Sequence, residues 1–362
     1  MIRADVAVIG AGMAGASLAA ELAGAGRIVL IEAEDMPGYH ATGRSAAFWS
    51  ETYGGAGVQP LTSASGDYLR AGGFLAPLGS LHVGRREEQA AADAFLAEFE
   101  GSGVRLERVD PATLVPGLRP DWVVGVAEPS CAYIDVAALH AHYLARARAG
   151  GVELLTRAEL LAAERTDGAW RIETRAGPVI ADTLANAAGA WGDVVATRAG
   201  VAPLGLAPYR RTMVQLRTDP PVPEGLPHVA HLGGGFYFKP EGQGRLWLSP
   251  HDEIPDTPGD VAPEEIDVAI AIDRLERLVD WRVAAVERRW AGLRTFAPDR
   301  LPVFGWSAAA PGFFWCVGQG GFGIQTAPAA AQIAAALLRR DALPAPVAAI
   351  EVAAYAPARF GA

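Results

Sequence analysis

Lysine is almost missing from this sequence, since Lys239 is the only one in 362 residues. Pyridoxal enzymes hold their cofactor as a Schiff base on a lysine, so this scarcity disfavours pyridoxal chemistry. Cysteine is scarce too. Cys131 and Cys316 stand far apart and form no C-x-x-C pair, so neither a disulfide framework nor a zinc ribbon is expected. This cysteine usage is typical of a reducing compartment, and we predict a cytoplasmic protein, either free or peripheral at the inner face of the membrane.

Membrane-spanning runs and basic clusters are missing as well. The uncharged stretch 6–20 has 15 residues, whereas a spanning helix needs about 20, so we predict no transmembrane segment. The formal net charge is −10 with scattered arginines, which argues against a nucleic-acid backbone as partner. The seven histidines form no ligand cluster, and His228 and His231 are expected in a loop rich in proline and glycine. No metal is predicted.

What the sequence does contain is a glycine-rich turn near its start. An apolar strand at 5–9 runs into Gly10, Gly12 and Gly15, then a helix, then a second strand that ends on Glu32. In a dinucleotide-binding unit the three glycines make the tight turn, the approach to the pyrophosphate and the close helix packing. The acid accepts hydrogen bonds from ribose hydroxyls. The alternative is a glycine-rich packing turn, but strand, helix and acid together favour nucleotide binding.

Two further segments suggest backbone that lies against a ligand. The loop after Glu32 carries Thr42, Arg44 and Ser45, which are suited to a second phosphate or a ring system. The apolar strand from Leu184 enters a turn of small residues that ends at Trp191.

The glycine-rich segment 318–323 precedes the last predicted helix and forms a third such turn. A tight structural turn is one interpretation. The other is that a flat ring lies on the glycine backbone while the helix N-terminus faces developing negative charge, as in a reduced flavin. The chain would then begin and end with helix N-termini suited to the two ends of one dinucleotide.

Periodicity and turn signals predict an α/β protein of two domains. The predicted helices are 61–71, 87–99, a short one after Asp110, 135–148, 263–279 and 326–340. The predicted strands are 75–83, 123–127, 152–155, 159–163, 170–174, 179–181, one from Leu184, 209–217, 236–239, 245–248, 285–296 and 313–317. A discontinuous Rossmann-like domain is assigned to 1–74, 132–205 and 295–362. A second α+β domain with an antiparallel sheet is assigned to 75–131 and 206–294.

Five motifs resemble those of the D-amino acid oxidase superfamily of flavoproteins, and within it most closely the bacterial D-arginine dehydrogenases. They are DVAVIGAGMAGAS from Asp5, GYHATGRSAA from Gly38, NAAGAW from Asn186, WAGLRTF from Trp290 and QGGFGIQT from Gln319. The resemblance implies an FAD-binding domain of the glutathione reductase-2 and D-amino acid oxidase type with a substrate sheet. It also implies oxidation of a C–N bond by hydride transfer to flavin N5.

By the same resemblance the FAD contacts fall on the glycine turn, the loop after Glu32, one position near adenine and two later turns. These residues are Gly10, Gly12, Ala14, Gly15, Glu32, Ala33, Ala41, Thr42, Gly43, Arg44, Ser45, Ala46, Ala47, Phe48, Leu160, Ala188, Gly189, Gly321, Phe322, Gly323, Ile324, Gln325 and Thr326.

Four residues match the substrate carboxylate site of the superfamily. Arg294 corresponds to the arginine that pairs with the carboxylate, and Arg211, Tyr237 and Tyr53 correspond to its helpers. A planar guanidinium matches a carboxylate geometrically, and phenols complete its hydrogen bonds. The alternative for Arg294 is a surface ion pair.

Departures from the superfamily pattern refine the expectation. Gly292 replaces the cysteine that tethers flavin in monomeric sarcosine oxidases, so FAD is expected to be non-covalent. Trp247 falls near the lysine that activates oxygen in those oxidases, which favours a quinone or another acceptor. Phe48 and Ser80 stand where D-arginine dehydrogenases carry a histidine and a glutamate, which argues against arginine as substrate.

The sequence therefore predicts an FAD-dependent enzyme that deaminates a neutral or apolar D-amino acid to its 2-oxo acid. An amine or N-methyl amino acid oxidase of the glycine or sarcosine type is the first alternative. A nucleotide-binding protein without chemistry is the second, although the two arginines and two tyrosines argue against it.

Overall fold

The computed structural model describes residues 1–361, which form three β-sheets and seven α-helices. The helices are α1 Met13–Leu22, α2 Gln59–Ala71, α3 Gln89–Glu98, α4 Val136–Ala149, α5 Gly192–Arg198, α6 Glu265–Leu278 and α7 Ala327–Arg339. The strands are β1 Ile2–Ile9, β2 Ile28–Ile31, β3 Phe48–Trp49, β4 Leu75–Pro77, β5 Ser80–Gly84, β6 Glu107–Arg108, β7 Val124–Glu128, β8 Ala132–Ile134, β9 Glu153–Leu155, β10 Leu160–Thr166, β11 Ala169–Thr174, β12 Val179–Asn186, β13 Ala207–Asp219, β14 His228–His231, β15 Tyr237–Pro240, β16 Arg245–Ser249, β17 Ile254–Pro255, β18 Arg282–Phe296, β19 Val303–Trp306, β20 Phe313–Val317 and β21 Gln319–Gly320. Within residues 1–361, no helix combines the length and apolarity that crossing a membrane requires.

The predicted Rossmann-like unit is confirmed. β1 pairs in parallel with β2 on one side and with β12 on the other, inside an eight-stranded sheet. Leu18 of α1, Leu139 of α4 and Ile333 of α7 share one buried core, while Val195 of α5 and Trp170 belong to a second. A parallel sheet buried on both faces reads as continuous apolar strands, which is the pattern of this chain near its start.

The second sheet has ten strands in the order β21-β18-β13-β16-β15-β14-β5-β7-β6, with β17 beside β13. Pairing is antiparallel except between β14 and β5. Val214 and Leu216 share a core with Leu275 of α6, so one face of β13 is covered by that helix. Because side chains alternate along a strand, Arg211 and Met213 lie on the opposite face.

The structure corrects three details of the predicted elements. Residues 75–83 are not one strand, because Gly79 adopts a left-handed φ of 74° and separates β4 from β5, which join different sheets. Residues 179–181 and the run from Leu184 form the single strand β12, since β1 pairs with it in one continuous register from Val179 to Asn186. His228 and His231 lie in β14 rather than in a loop, because pairing with β5 and β15 outweighs the local composition.

The predicted boundaries of the two domains stay a prediction. Strands of 75–131 and 206–294 do meet in the ten-stranded sheet, but β4 pairs with β8, which the sequence assigned to the other domain. The end of the predicted segment 295–362, Ala362, lies outside the described residues.

Candidate active site

The glycine turn after β1 requires glycine at two positions. Gly10 has a φ of 98°, and a Cβ there would lie 2.7 Å from the carbonyl oxygen of Ala187. A Cβ on Gly15 would lie 1.8 Å from the carbonyl oxygen of Gly10. The start of α1 is further tied to the following loop, since the Met13 N–H donates to Thr42 Oγ1 at 2.9 Å. Turn and loop thus form one rigid anion-binding surface at the helix N-terminus.

Glu32 is fixed beside this turn by backbone donors. Its carboxylate accepts from the N–H of Ala11 at 2.7 Å and of Glu34 at 2.9 Å, which leaves lone pairs for ribose hydroxyls. The sequence did not single out His140, whose Nε2 lies 2.9 Å from the carbonyl oxygen of Ala11. Burial lowers the pKa of His140, so the neutral ring donates to that carbonyl and holds the turn from α4.

Two adjoining cavities follow the turn. The first has a volume of about 430 Å³ and is lined by Ile9, Gly10, Gly12, Ile31, Glu32, Ala33, Glu34, His40, Ala158, Glu159, Leu160, Ala187, Ala188, Trp191, Val194, Val195 and Arg198. The second is lined by Met13, Ala14, Ala41, Thr42, Arg44, Ser45, Gly189, Ala190, Gly292, Leu293, Arg294, Thr295, Gln319, Gly320, Gly321, Gly323 and Ile324. The two cavities adjoin at two points of the chain. Gly12 lines the first cavity and Met13 the second, and in the same way Ala188 lines the first and Gly189 the second.

Most of the predicted cofactor residues line these cavities or the small one beside Arg294. Ala46, Ala47, Phe48 and Gln325 belong to that small cavity. Four others line none of the three, namely Gly15, Gly43, Phe322 and Thr326. These four residues support the site through contacts within the protein. The Thr326 hydroxyl, for example, donates to the Phe322 carbonyl.

The residues present fit FAD. The first cavity has the size and the acid that an adenosine requires, and the second lies between the N-termini of α1 and α7. At Gly321 a Cβ would lie 2.4 Å from the Tyr53 hydroxyl and 2.9 Å from Arg294 Nε, so only bare backbone leaves that surface open. A planar ring and a glycine backbone are therefore complementary here.

Arg294 is half-buried between these cavities and has no acidic partner. Its Nη2 donates to the Tyr237 hydroxyl at 3.1 Å, and no carboxylate of residues 1–361 lies within 4.0 Å of its guanidinium. Burial acts to lower the pKa of Arg294, but the phenols of Tyr237 and Tyr53 outweigh it and the pKa is raised. The alternative of a surface ion pair therefore finds no acidic partner for Arg294 within residues 1–361, and a permanent cation faces the site.

Arg211 is placed differently from Arg294. It is only 1% exposed and lies 3.1 Å from Glu253 Oε1, while its Nε donates to the Asp252 carbonyl at 2.5 Å. The Nη1 atom of Arg211 has no hydrogen-bond partner in the described chain. Arg211 as a whole lines none of the three cavities. Two acids therefore lie within 4.0 Å of the Arg211 guanidinium, whereas no acid of residues 1–361 lies that close to Arg294.

Phe48 and Tyr53 line the small cavity, and Tyr237 packs against Phe48 without lining it. The Phe48 ring centroid lies 5.2 Å from that of Tyr53 and 5.7 Å from that of Tyr237. Burial tends to raise the pKa of Tyr237, but the positive charges of Arg294 and Arg211 outweigh it and the pKa is lowered.

Ser80 reaches the cluster only through His228. Its Oγ lies 2.9 Å from His228 Nδ1, and the His228 ring packs on Phe48 with centroids 4.5 Å apart. The sequence analysis missed His228 because it placed this histidine in a loop. Burial holds its pKa well below the usual value, so the ring is neutral.

Arg44 lines the second cavity, but its guanidinium already pairs with an acid that does not line that cavity. Its Nη2 lies 2.5 Å from Asp260 Oδ1, and its guanidinium packs 5.1 Å from the centre of the Tyr39 ring. Ser45 is likewise engaged, since its Oγ accepts from the Ala47 N–H at 3.0 Å.

The sheet register places Lys239 directly opposite Trp247. The Lys239 ammonium lies 4.3 Å from the Trp247 ring centre and donates to Glu241. The sequence argument about Trp247 did not include this neighbour, and the carboxylate of Glu241 offsets its charge. At Gly292 a Cβ would lie 3.1 Å from the Arg44 Cβ, so the position is close-packed.

Comparison with protein families gives one match over nearly the whole chain. The model of the family described as DAO, FAD dependent oxidoreductase, matches residues 5–337. The tRNA 5-methylaminomethyl-2-thiouridine biosynthesis bifunctional protein MnmC of Polaromonas is 26% identical over 93% of this chain and 57% of its own length. Mitochondrial dimethylglycine dehydrogenase of Rattus norvegicus is 28% identical over 68% of this chain and 30% of its own. The chain thus spans about half or less of these two relatives.

Solved structures resemble the whole fold. Glycine oxidase from Geobacillus kaustophilus superposes with a TM-score of 0.82 at 24% identity, covering 97% of this chain and 99% of that one. L-proline dehydrogenase from P. horikoshii gives 0.85 at 21% identity, with 99% and 98% covered. FAD-bound L-α-glycerophosphate oxidase from Mycoplasma pneumoniae gives 0.85 at 16% identity, with 94% and 95% covered. At these identities the likeness establishes the fold, and the finer resemblance to D-arginine dehydrogenases stays a prediction.

Proposed function

We propose that this chain, which belongs to the family of FAD-dependent oxidoreductases, oxidises the C–N bond next to the carboxylate of a neutral D-amino acid. Hydrolysis of the resulting imine gives the 2-oxo acid and ammonia. FAD, when bound, supplies the hydride acceptor. The observation that carries the proposal is the unpaired guanidinium of Arg294 beside two phenols and the bare backbone of Gly321.

The side chains have distinct tasks in this reaction. Arg294 pairs with the carboxylate through two parallel N–H donors, and Tyr237 and Tyr53 supply further hydrogen bonds. Such a clamp orients the α C–H and is worth several kcal/mol of the barrier. Arg211 is given no direct contact with the carboxylate, because Asp252 and Glu253 already engage its guanidinium; its charge acts on the site by helping to lower the pKa of Tyr237. The proton of the substrate ammonium leaves to solvent or to Tyr53, since the site offers no stronger base.

The lining of the small cavity favours a substrate whose side chain is uncharged. No aspartate or glutamate lines the small cavity within residues 1–361. Ser80 is bonded to His228, and Glu88 is bonded to His231 and to the Arg85 N–H. A guanidinium side chain of D-arginine would therefore be desolvated without a partner, which costs several kcal/mol.

We assign the electrons to a quinone or another acceptor rather than oxygen. Trp247 carries no charge, and Glu241 offsets the charge of the neighbouring Lys239. Dye reduction that outpaces peroxide formation in the steady state supports this assignment. Peroxide formed as fast as dye is reduced overturns it.

One anaerobic titration tests the function. The holoenzyme is mixed separately with D-alanine, L-alanine, D-arginine, glycine and N-methylglycine, and flavin bleaching is followed near 450 nm, the usual flavin band. Bleaching that is fastest with D-alanine supports the proposal. Bleaching that is fastest with glycine or N-methylglycine indicates the alternative glycine or sarcosine type. Bleaching by none of them, with FAD bound, leaves a nucleotide-binding protein without this chemistry.

A further inference from the structure

The segment that leads from β17 to α6, residues 256–264 and here called the strap, is held at both ends by one buried arginine. Arg210 on β13 is 8% exposed, and its guanidinium lies 3.7 Å from Asp256 Oδ2 and 2.6 Å from Glu264 Oε1. The same guanidinium lies 3.2 Å from Asp267 Oδ2 in the first turn of α6. Both ends of the strap are therefore fixed at one point of the ten-stranded sheet, and its middle forms a loop.

The tip of this loop contacts the segment 38–45, here called the cofactor loop. Asp260 Oδ1 lies 2.5 Å from Arg44 Nη2, and Asp260 Oδ2 accepts from the Tyr39 hydroxyl at 2.9 Å. The Val261 carbonyl accepts from Arg44 Nη1 at 3.3 Å. Three contacts thus join the strap, which is anchored on one sheet, to a loop that belongs to the nucleotide side of the molecule.

The cofactor loop borders both cavities that fit FAD. His40 lines the first cavity and Thr42 lines the second, where Thr42 Oγ1 also accepts from the Met13 N–H. The Arg44 side chain is only 14% exposed, and its Nη1 donates to the Ala291 carbonyl of β18 at 3.3 Å. A dinucleotide that occupies both cavities lies against this loop, so it leaves more readily when the loop moves outward.

We propose that the strap is a latch that keeps the cofactor loop closed and slows the release of FAD, and that Asp260 is the residue that fastens it. The guanidinium of Arg44 is the tie between strap and loop. Such a latch has a purpose here, because Gly292 offers no sulfur for a covalent tether. The inference concerns retention of the cofactor and does not depend on which substrate the enzyme oxidises.

The test measures the rate at which the holoenzyme loses FAD in buffer without flavin, followed as flavin absorbance in the ultrafiltrate. Asp260→Ala removes the ion pair to the mostly buried Arg44 and the acceptor for Tyr39, so the rate should rise about fivefold. Asp260→Asn keeps the size and one acceptor oxygen, and its rate should lie between those of the wild type and Asp260→Ala. Raising the ionic strength from about 0.05 to about 0.5 M should narrow the difference between wild type and Asp260→Ala, since salt screens an exposed pair.

Asp273→Ala is the matched control. Asp273 is half exposed like Asp260, and its ion pair with Arg277, at 3.0 Å, lies within α6. It should lose FAD at the wild-type rate. Folding of every variant is checked by Tm, and if Asp260→Ala does not fold, Tyr39→Phe is measured and should also release FAD faster.

Two results would overturn the latch and leave the proposed function intact. One is loss of FAD from Asp260→Ala no faster than from the wild type, and the other is an equal rise in Asp273→Ala. A holoenzyme that oxidises no amino acid would overturn the proposed function instead, while faster release of FAD from Asp260→Ala would still support the latch.

Discussion

A single substitution at Arg294 can distinguish the effect of its positive charge from the effect of its planar shape. Arg294→Lys keeps the positive charge but loses the planar fork that matches a carboxylate. Loss of a buried, hydrogen-bonded charge pair costs about 2 to 5 kcal/mol. We therefore expect kcat/KM for D-alanine to fall by about 30-fold or more, at 1.36 kcal/mol per factor of ten.

Arg289→Lys is the matched control for this change. Arg289 lies on the same strand β18 but is half exposed, 3.7 Å from the exposed Glu265. It should retain wild-type kinetics. A fall of less than tenfold in Arg294→Lys, with normal flavin content, would mean that Arg294 is not the carboxylate ligand.

Gly292 determines how the cofactor is retained. It offers no sulfur at the close-packed position beside Arg44. Both cysteines are buried, and burial raises the pKa of Cys316 to about 12, so its thiol is neutral and a poor nucleophile. Acid precipitation should release all flavin absorbance into the supernatant. Absorbance that stays in the protein pellet would contradict non-covalent binding.

At the scale of elements, the segment between β3 and α2 carries Tyr53 and is held by two buried side chains. Glu128, at the end of β7, accepts from Ser50 Oγ at 2.8 Å, from the Glu51 N–H at 2.7 Å and from Thr52 Oγ1 at 2.6 Å. On the other side Gln325 Nε2, at the entry to α7, donates to the Tyr53 carbonyl at 3.0 Å. Glu128 is thus a positioning residue for Tyr53. The one feature of the sequence that could have pointed to this role is a single acid at the end of an otherwise apolar strand.

Glu128→Ala should raise KM for D-alanine and lower Tm. Each buried donor left without a partner costs about 1 to 3 kcal/mol, and Tyr53 loses its fixed position. Glu128→Gln keeps the shape and one acceptor oxygen, so it should restore most of the affinity. Glu164→Ala, at an exposed site on β10, is the control. A variant Glu128→Ala with wild-type KM but a lowered Tm would assign Glu128 to stability alone.

At the scale of the whole molecule, local patterns were readable from the sequence and long-range contacts were not. The glycine turn and Glu32 follow from residues adjacent in the chain, so the Rossmann-like unit and FAD were predicted correctly. The neutralisation of Arg211 by Asp252 and Glu253 depends on sheet register, which the sequence does not display. The same holds for His228, which became a strand residue only through pairing with β5.

The buried neutral His228 makes the stability of the whole molecule sensitive to mild acid. Burial, with repulsion from His82 and Lys239, holds its pKa well below 6.5, and burial with the charge of Arg211 lowers the pKa of His251 to about 3. In the unfolded chain both return to about 6.5. Below that pH the unfolded state binds protons that the folded state excludes, so the free energy of unfolding decreases as pH falls.

Tm of the holoenzyme should therefore decrease from pH 7.5 through 6.5 to 5.5, above the range in which unperturbed carboxylates titrate. His228→Asn keeps an acceptor or donor toward Ser80 and removes the titrating ring, so its Tm should start lower and depend less on pH. His142→Asn, at an exposed position of α4, should show the wild-type dependence. A wild-type Tm that stays constant or rises over this interval would show that proton exclusion at these histidines does not limit stability. An equal dependence in His228→Asn would assign the effect to the other buried histidines of lowered pKa, His251 and His140.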